Sequence, residues 1–273
     1  MKIFISADIE GIAGVVAPQQ CRAGNIEYEQ ARALMEQEVN AAIAGAFDAG
    51  ATKVVVADSH GSMTNLRAAQ LDPRAELVSS KPRPFSMVEG IDHEPFDGLF
   101  LVGYHSGAGE KGVLAHTING AAFYRVTVNG HPMAEADLYT ASAWEHKAPL
   151  LLVTGDDQLE SWINKRYPEV SYACVKRYIS TTAAQSLSPK DAQEKIRAVA
   201  FNAIVSQTQL KQPLLAAPYT LELSATKPVM ADIFALVPGV EQVDARTVTY
   251  TANDMKSLIS LLCAFSYLAT TQS

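Results

Sequence analysis

Two acidic residues stand close together where the first apolar run of the chain ends. In SADIEGIAG, Ser6 to Gly14, Asp8 and Glu10 follow KIFIS and a glycine comes next. If the strand continues through them, its period-2 spacing turns both carboxylates to one face, where like charges repel unless something positive lies between them. A lysine, a backbone nest or a metal ion would meet that need. Three further residues with ligating chemistry are His60 in DSHGS, His105 in GYHSG and Glu135 in PMAEAD. Three carboxylates and two imidazoles, without thiolates, form a hard-to-borderline donor set that suits zinc, with manganese or cobalt as substitutes. Two divalent ions would neutralise the three acids. A shared carboxylate, with one imidazole and one further carboxylate per ion, would leave positions open for water, as in catalytic metal sites.

Each residue also has a plainer reading. Asp8 or Glu10 alone could cap a helix or sit solvated in a loop, His60 could belong to a turn, and Glu135 could favour the N-terminal end of its own helix. The SGAGEKG loop after His105 lacks the Walker spacing of a phosphate cradle. His116, in GVLAHTING, could be a hydrogen-bonded loop histidine or, beside a metal site, a proton shuttle or oxyanion donor. His93, His131 and His146 read as surface residues. In TGDD, Asp156 or Asp157 is expected to cap the helix that follows rather than join the cluster.

The elements that must position these residues alternate between apolar strands and helical patterns. KIFIS, TKVVVAD (52–58), GLFLVGY (98–104) and APLLLVTGDD (148–157) read as strands, EYEQARALMEQEVNAAIAGAFDAG (27–50) as a long helix, 63–70 as a short one, and the segment from Met133 as another helix. Continuous apolar strands separated by helices predict a three-layer α/β/α fold with a mostly parallel sheet, whose ligand crevice lies beyond the carboxyl ends of the strands. Asp8 and Glu10, His60, and His105 then end successive strands on one edge. RVTVNG alternates like an exposed strand closed by an Asn-Gly turn. After KQPLLAAP the texture changes: TLELSA and RTVTYTA alternate, and Asp254 to Thr270 closes the chain as a helix. The expected division is a catalytic domain over 1–210 and a smaller α+β portion over 211–273.

Composition narrows the function classes. With 273 residues, 48% of them apolar, a large core is available. The formal net charge of −7 and the absence of a basic stripe argue against nucleic acid. The run SLISLLCAFSYLA (257–269) is too short to span a bilayer, so no membrane partner is expected. No secretory signal is visible, and three scattered cysteines fit a reducing compartment, so the expected location is cytoplasmic. GxSxG, HExxH and a strand-bound GxGxxG are all missing.

Several blocks then align with a known pattern: DIEGIAG, DSHGSMTN, KPRPFSMVEG, GYHSGAG, GVLAHTI, PMAE, TGDD and SLSP, in this order over most of the chain. Through them the sequence resembles the zinc-dependent D-aminopeptidases of the DppA family. The resemblance implies that Asp8, Glu10, His60, His105 and Glu135 hold two zinc ions per subunit, that Asp8 bridges them, and that His116 occupies the place of the catalytic histidine. It also implies a short peptide substrate with a free amino terminus and an N-terminal D-residue such as D-alanine, and a homo-oligomer in the form of a decameric ring. The sequence departs from the family pattern around AHTINGAAFYRV and HPMAEAD, including Ala134 before the acid, in segments that bear on substrate preference. The alternatives are another metal-dependent amidase acting on small amides and a non-catalytic peptide- or metal-binding ring subunit.

Overall fold

A computed structural model describes residues 1–206 and 214–272. In chain order its strands are β1 (Lys2–Ala7), β2 (Lys53–Asp58), β3 (Ala75–Val78), β4 (Gly98–Val102), β5 (Phe123–Val128), β6 (His131–Pro132), β7 (Leu150–Asp156), β8 (Ser171–Ser180), β9 (Ala183–Ser186), β10 (Tyr219–Ala225), β11 (Glu241–Gln242) and β12 (Thr247–Ala252). The helices are α1 (Ile26–Asp48), α2 (Glu135–Glu145), α3 (Asp157–Arg166), α4 (Pro189–Val205), α5 (Pro228–Phe234) and α6 (Met255–Ala269).

Among the described residues, seven strands form the main sheet in the order β3-β2-β1-β4-β7-β8-β9, all parallel except the final β8–β9 pair. Alternate side chains of each central strand serve opposite layers. Ile3, Ile5, Val54, Val56, Phe100 and Val102 pack with the buried stripes of α1 and α4, while Phe4, Val55, Leu99 and Leu101 face a core shared with α2, α3 and α6. This is the expected three-layer architecture with a mostly parallel sheet. From β1 the chain runs outward through β2 and β3, then returns to β4 on the other side of β1. The switch between β1 and β4 opens a crevice at their carboxyl ends, and Asp8 and His105 follow those two strands.

The smaller sheet has the antiparallel order β11-β12-β10-β5-β6. Its strands β5 and β6 come from the middle of the chain, with Asn129 and Gly130 at positive φ in the tight turn between them. The C-terminal strands therefore build on 123–132, and α6 packs in the same core as α2. The expected 210/211 division, together with the start of KQPLLAAP, lies outside the described residues.

Local chemistry sets the element ends. Asn25 caps α1 by accepting from the Tyr28 N–H at 2.9 Å, Asp156 caps α3 through the Gln158 and Leu159 N–H groups, and Asp254 caps α6 through the Ser257 N–H. The helix expected over 63–70 is reduced to a short 3-10 turn at Ala68–Gln70. Its backbone is diverted: the Asp58 carboxylate takes the Leu66 N–H and the Asn65 amide, and Arg32 takes the Thr64 and Asn65 carbonyls. β4 stops at Val102 because Gly103 turns to a φ of +73°.

That turn allows a close approach that places the acids. Gly11 N–H donates to the Gly103 carbonyl at 2.7 Å, and a Cβ on Gly11 would overlap the carbonyls of Gly103 and Tyr104. Gly11→Ala is therefore expected to cost about 1–3 kcal/mol and to displace Asp8 and Glu10, read as a lower denaturant midpoint together with reduced metal content. An unchanged midpoint would show that the loop relaxes freely.

Candidate metal centre

β1 ends at Ala7, so Asp8 and Glu10 do not share a strand face as the spacing suggested. The chain instead turns, with Ile12 N–H donating to the Ile9 carbonyl, and the turn brings both carboxylates together. Two buried groups from other elements hold it. Lys176 on β8 donates its ammonium hydrogens to the carbonyls of Glu10, Ile12 and Val15, and Glu38 on α1 accepts from the Ala13 N–H at 2.9 Å. Burial pushes Lys176 down to about 8 and Glu38 up to about 7. The remaining candidates arrive separately. His60 follows β2, with Asp58 and Asn65 bracing its loop, and His105 follows β4. Glu135 is the first residue of α2, where Ile118 N–H donates to its Oε1 at 2.5 Å.

These residues converge. His60 Nδ1 lies 3.2 Å from Asp8 Oδ1 and 2.9 Å from Glu10 Oε2, while His105 Nε2 lies 3.4 Å from Asp8 Oδ2 and 3.5 Å from Glu135 Oε2. Asp8, Glu10, His105 and Glu135 are buried, and the His60 side chain is 13% exposed. In each imidazole the opposite nitrogen is committed: His60 Nε2–H donates to the Cys21 carbonyl at 2.7 Å, and His105 Nδ1–H to the Ser106 carbonyl at 3.0 Å. A carbonyl can only accept, so in a neutral ring the nitrogen facing the carboxylates carries a lone pair. Lone pair facing lone pair requires a proton or a cation between them. His105 Nε2 and Glu10 Oε2 also lack a hydrogen-bond partner despite burial. The donor types, the burial and these two orphaned atoms fit divalent metal ions whose histidine ligands are oriented by backbone carbonyls.

Without a metal, protons take that role. Burial opposes charge on His60 and His105, but the neighbouring carboxylates prevail and hold both imidazoles well above the usual range near 6.5. Burial likewise opposes ionisation of Asp8, yet the neighbouring His105 and His60 rings, charged in that state, hold it well below the usual carboxylate range.

His116 sits beside the cluster. Its ring stacks on that of His105 with centroids 4.2 Å apart, its Nδ1–H donates to the Leu114 carbonyl, and its Nε2 lies 4.0 Å from Glu135 Oε1. At 25% side-chain exposure it is the most open of the six. With Asp8, His60 and Glu135 it lines a cavity of about 160 Å³ whose wall also includes Tyr139 of α2 and Tyr267 of α6. His93 and His131 are exposed, and His146 packs edge-on against Phe85. Asp156 spends its carboxylate on the α3 cap and on the Val113 N–H, which steadies the loop before His116. Lys176 and the α6 wall escaped sequence reasoning, Lys176 because a lysine in an alternating strand reads as solvated. Cys263, Ser266 and Tyr267 do share one helical face by their spacing, a signal present in the sequence.

The profile of the D-aminopeptidase family, peptidase family M55, matches residues 1–264. The chain belongs to this D-aminopeptidase family. A family relative, the D-aminopeptidase of Bacillus subtilis (strain 168), is 34% identical over 271 residues, covering 98% of each chain. Among solved structures, the Zn-dependent D-aminopeptidase DppA from Bacillus subtilis, described as a self-compartmentalizing protease, superposes with a TM-score of 0.94 at 33% identity, over 99% of this chain and 98% of that one. Membership in this peptidase family makes the chain an enzyme.

The raised imidazoles fix the sign of the pH response. In the metal-free protein their ion pairs stabilise the fold fully below about 6.5, and that stability is lost as pH rises through the higher folded values. Metal binding must expel the protons, so affinity rises with pH over the same interval. Titration calorimetry at neutral pH, in buffers of different ionisation enthalpy, is expected to record release of about two protons per subunit, and the Tm gain on metal addition should widen with pH. Release near zero would contradict the protonated state of both rings.

Proposed function

We propose that this enzyme is a metal-dependent aminopeptidase that removes an N-terminal D-residue of the D-alanine type from short peptides. In this reading Asp8, Glu10, His60, His105 and Glu135 hold two zinc ions and His116 moves the proton. The observation that carries it is the pair of imidazoles, His105 buried and His60 largely so, whose outer nitrogens are spent on carbonyls while their inner nitrogens face carboxylates. Asp8 supports a shared centre, since its Oδ1 faces His60 and its Oδ2 faces His105. One half of the site is then Glu10, His60 and Asp8, and the other is His105, Glu135 and Asp8.

Bound there, the ions supply Lewis-acid polarisation of the scissile carbonyl and acidification of a water towards neutral pH. The residues do the rest. The carbonyl-held rings keep the donor atoms aimed inward without reorganisation, and the cavity beside them receives the amino terminus of the substrate. His116, its Nδ1–H committed to Leu114, takes a proton at Nε2 and passes it to the departing amine. The relative described as self-compartmentalizing supports a homo-oligomer for this chain as well, read here as a decameric ring enclosing the active sites. Ile26, Ile179 and Leu236, all largely exposed, offer apolar surface for such contacts.

One observation favours a variant of this scheme: donor atoms of His105, His116 and Glu135 lie within 4.8 Å of one another, which would let His116 ligate a metal. His116→Ala separates the two. As a proton carrier, its loss is expected to lower kcat by about 10²–10⁴-fold with zinc content retained by elemental analysis, whereas loss of zinc would make it a ligand. His105→Ala is expected to lose metal in either case. Chelation should abolish hydrolysis of D-Ala-D-Ala and zinc should restore it; turnover that survives complete metal removal would sink the reading.

A further inference from the structure

The cavity beside the metal centre carries charge that the proposed chemistry leaves unused. Its lining includes two basic side chains, Lys81 and Arg83, on the segment after β3. Arg83 is buried, and each of its three guanidinium nitrogens donates to a carbonyl, those of Asp58 at 2.9 Å, Val78 at 3.0 Å and Ser80. Lys81 is exposed and, among the described residues, forms no ion pair. We propose that Lys81 binds the C-terminal carboxylate of the peptide, so that the enzyme selects short peptides with both termini free. This rests on the aminopeptidase reading.

Three features make Lys81 more than a loose surface lysine. Its backbone is bolted on either side: Ser80 N–H donates to the Met63 carbonyl, Arg83 binds back to Ser80, and Ser260 of α6 donates to the Pro84 carbonyl at 2.8 Å. Its ammonium stands over the Tyr267 ring, 5.4 Å from the centroid, which restricts the long side chain without consuming its hydrogen-bond donors. Tyr267 is in turn held on α6, and Asn119, from the loop after His116, donates to Ser266 Oγ at 3.0 Å. The lysine, the aromatic support and the histidine loop are thus joined through one helix.

The cavity suits a peptide with both termini free. An aminopeptidase substrate brings its amino terminus to the metal centre, and a short peptide must then place its other, anionic terminus within the same cavity. Lys81 is the lining cation left free to accept it with charge-assisted hydrogen bonds, whereas longer peptides and C-terminally blocked ones cannot use this contact.

The test compares D-Ala-D-Ala with its C-terminal amide, D-Ala-D-Ala-NH2, on zinc-loaded wild-type enzyme and on Lys81→Met. The variant is expected to raise KM for the free acid by about 10–100-fold with little change in kcat, and to leave kcat/KM for the amide within about 2-fold. Lys81→Arg should restore much of the loss, and Tyr267→Leu should weaken the preference for the acid where Tyr267→Phe keeps it. Equal effects on acid and amide, or none on either, would overturn the subsite while leaving the peptidase reading intact. Wild-type protein that cleaves neither substrate would overturn both.

Discussion

Three carboxylates brought into one buried place cannot all stay ionised unless positive charge is brought in with them, and most of this fold can be understood as the means of gathering and compensating that charge. Asp8, Glu10 and Glu135 come from two distant parts of the chain and meet where β1 and β4 diverge. His60 and His105 meet the same need in the absence of metal by taking protons, with their inner nitrogens already turned to the carboxylates. The compensation is built in layers. Carbonyls of Cys21 and Ser106 fix the imidazole tautomers, and Lys176 sends its charge into the carbonyls of the acid-bearing turn.

The second core completes what the parallel sheet begins. The crevice needs only strands and their loops, but the cavity needs a wall, and α6 supplies one with Cys263, Ser266 and Tyr267. Since α6 packs with α2, whose first residue is Glu135, the wall and one candidate ligand are mechanically coupled. The smaller sheet is interleaved with the main fold through β5 and β6, which follow directly from the His116 loop. The residues proposed to select substrate and those proposed to carry out chemistry therefore belong to one packed unit.

Local patterns made much of this legible beforehand. The four central strands show as apolar runs, α1 as a long helical pattern, and the caps at Asp156 and Asp254 as acids preceding helices. The cluster was visible because polar residues interrupt apolar runs at their ends, which a parallel sheet collects along one edge. The argument for Asp8 and Glu10 from strand periodicity had the wrong local cause, since β1 has already ended and a glycine-dependent turn brings them together. The short helix expected over 63–70 failed because side chains of Asp58, Asn65 and Arg32 captured its backbone groups. The burial of Lys176 on β8, and the partnership of 123–132 with the C-terminal strands, left no local trace.

By itself, the sequence determined the layer architecture, the donor types available for metal and the family to which the chain belongs, because these depend on periodicity, side-chain chemistry and ordered motifs. Tertiary structure alone decided which nitrogen of each histidine turns inward, that Asp8 offers one oxygen to each, and that Lys81 and Tyr267 share the cavity with His116. Those outcomes depend on hydrogen bonds and contacts between residues far apart in the chain, and the spacing of residues along a strand or helix carries no record of such partners.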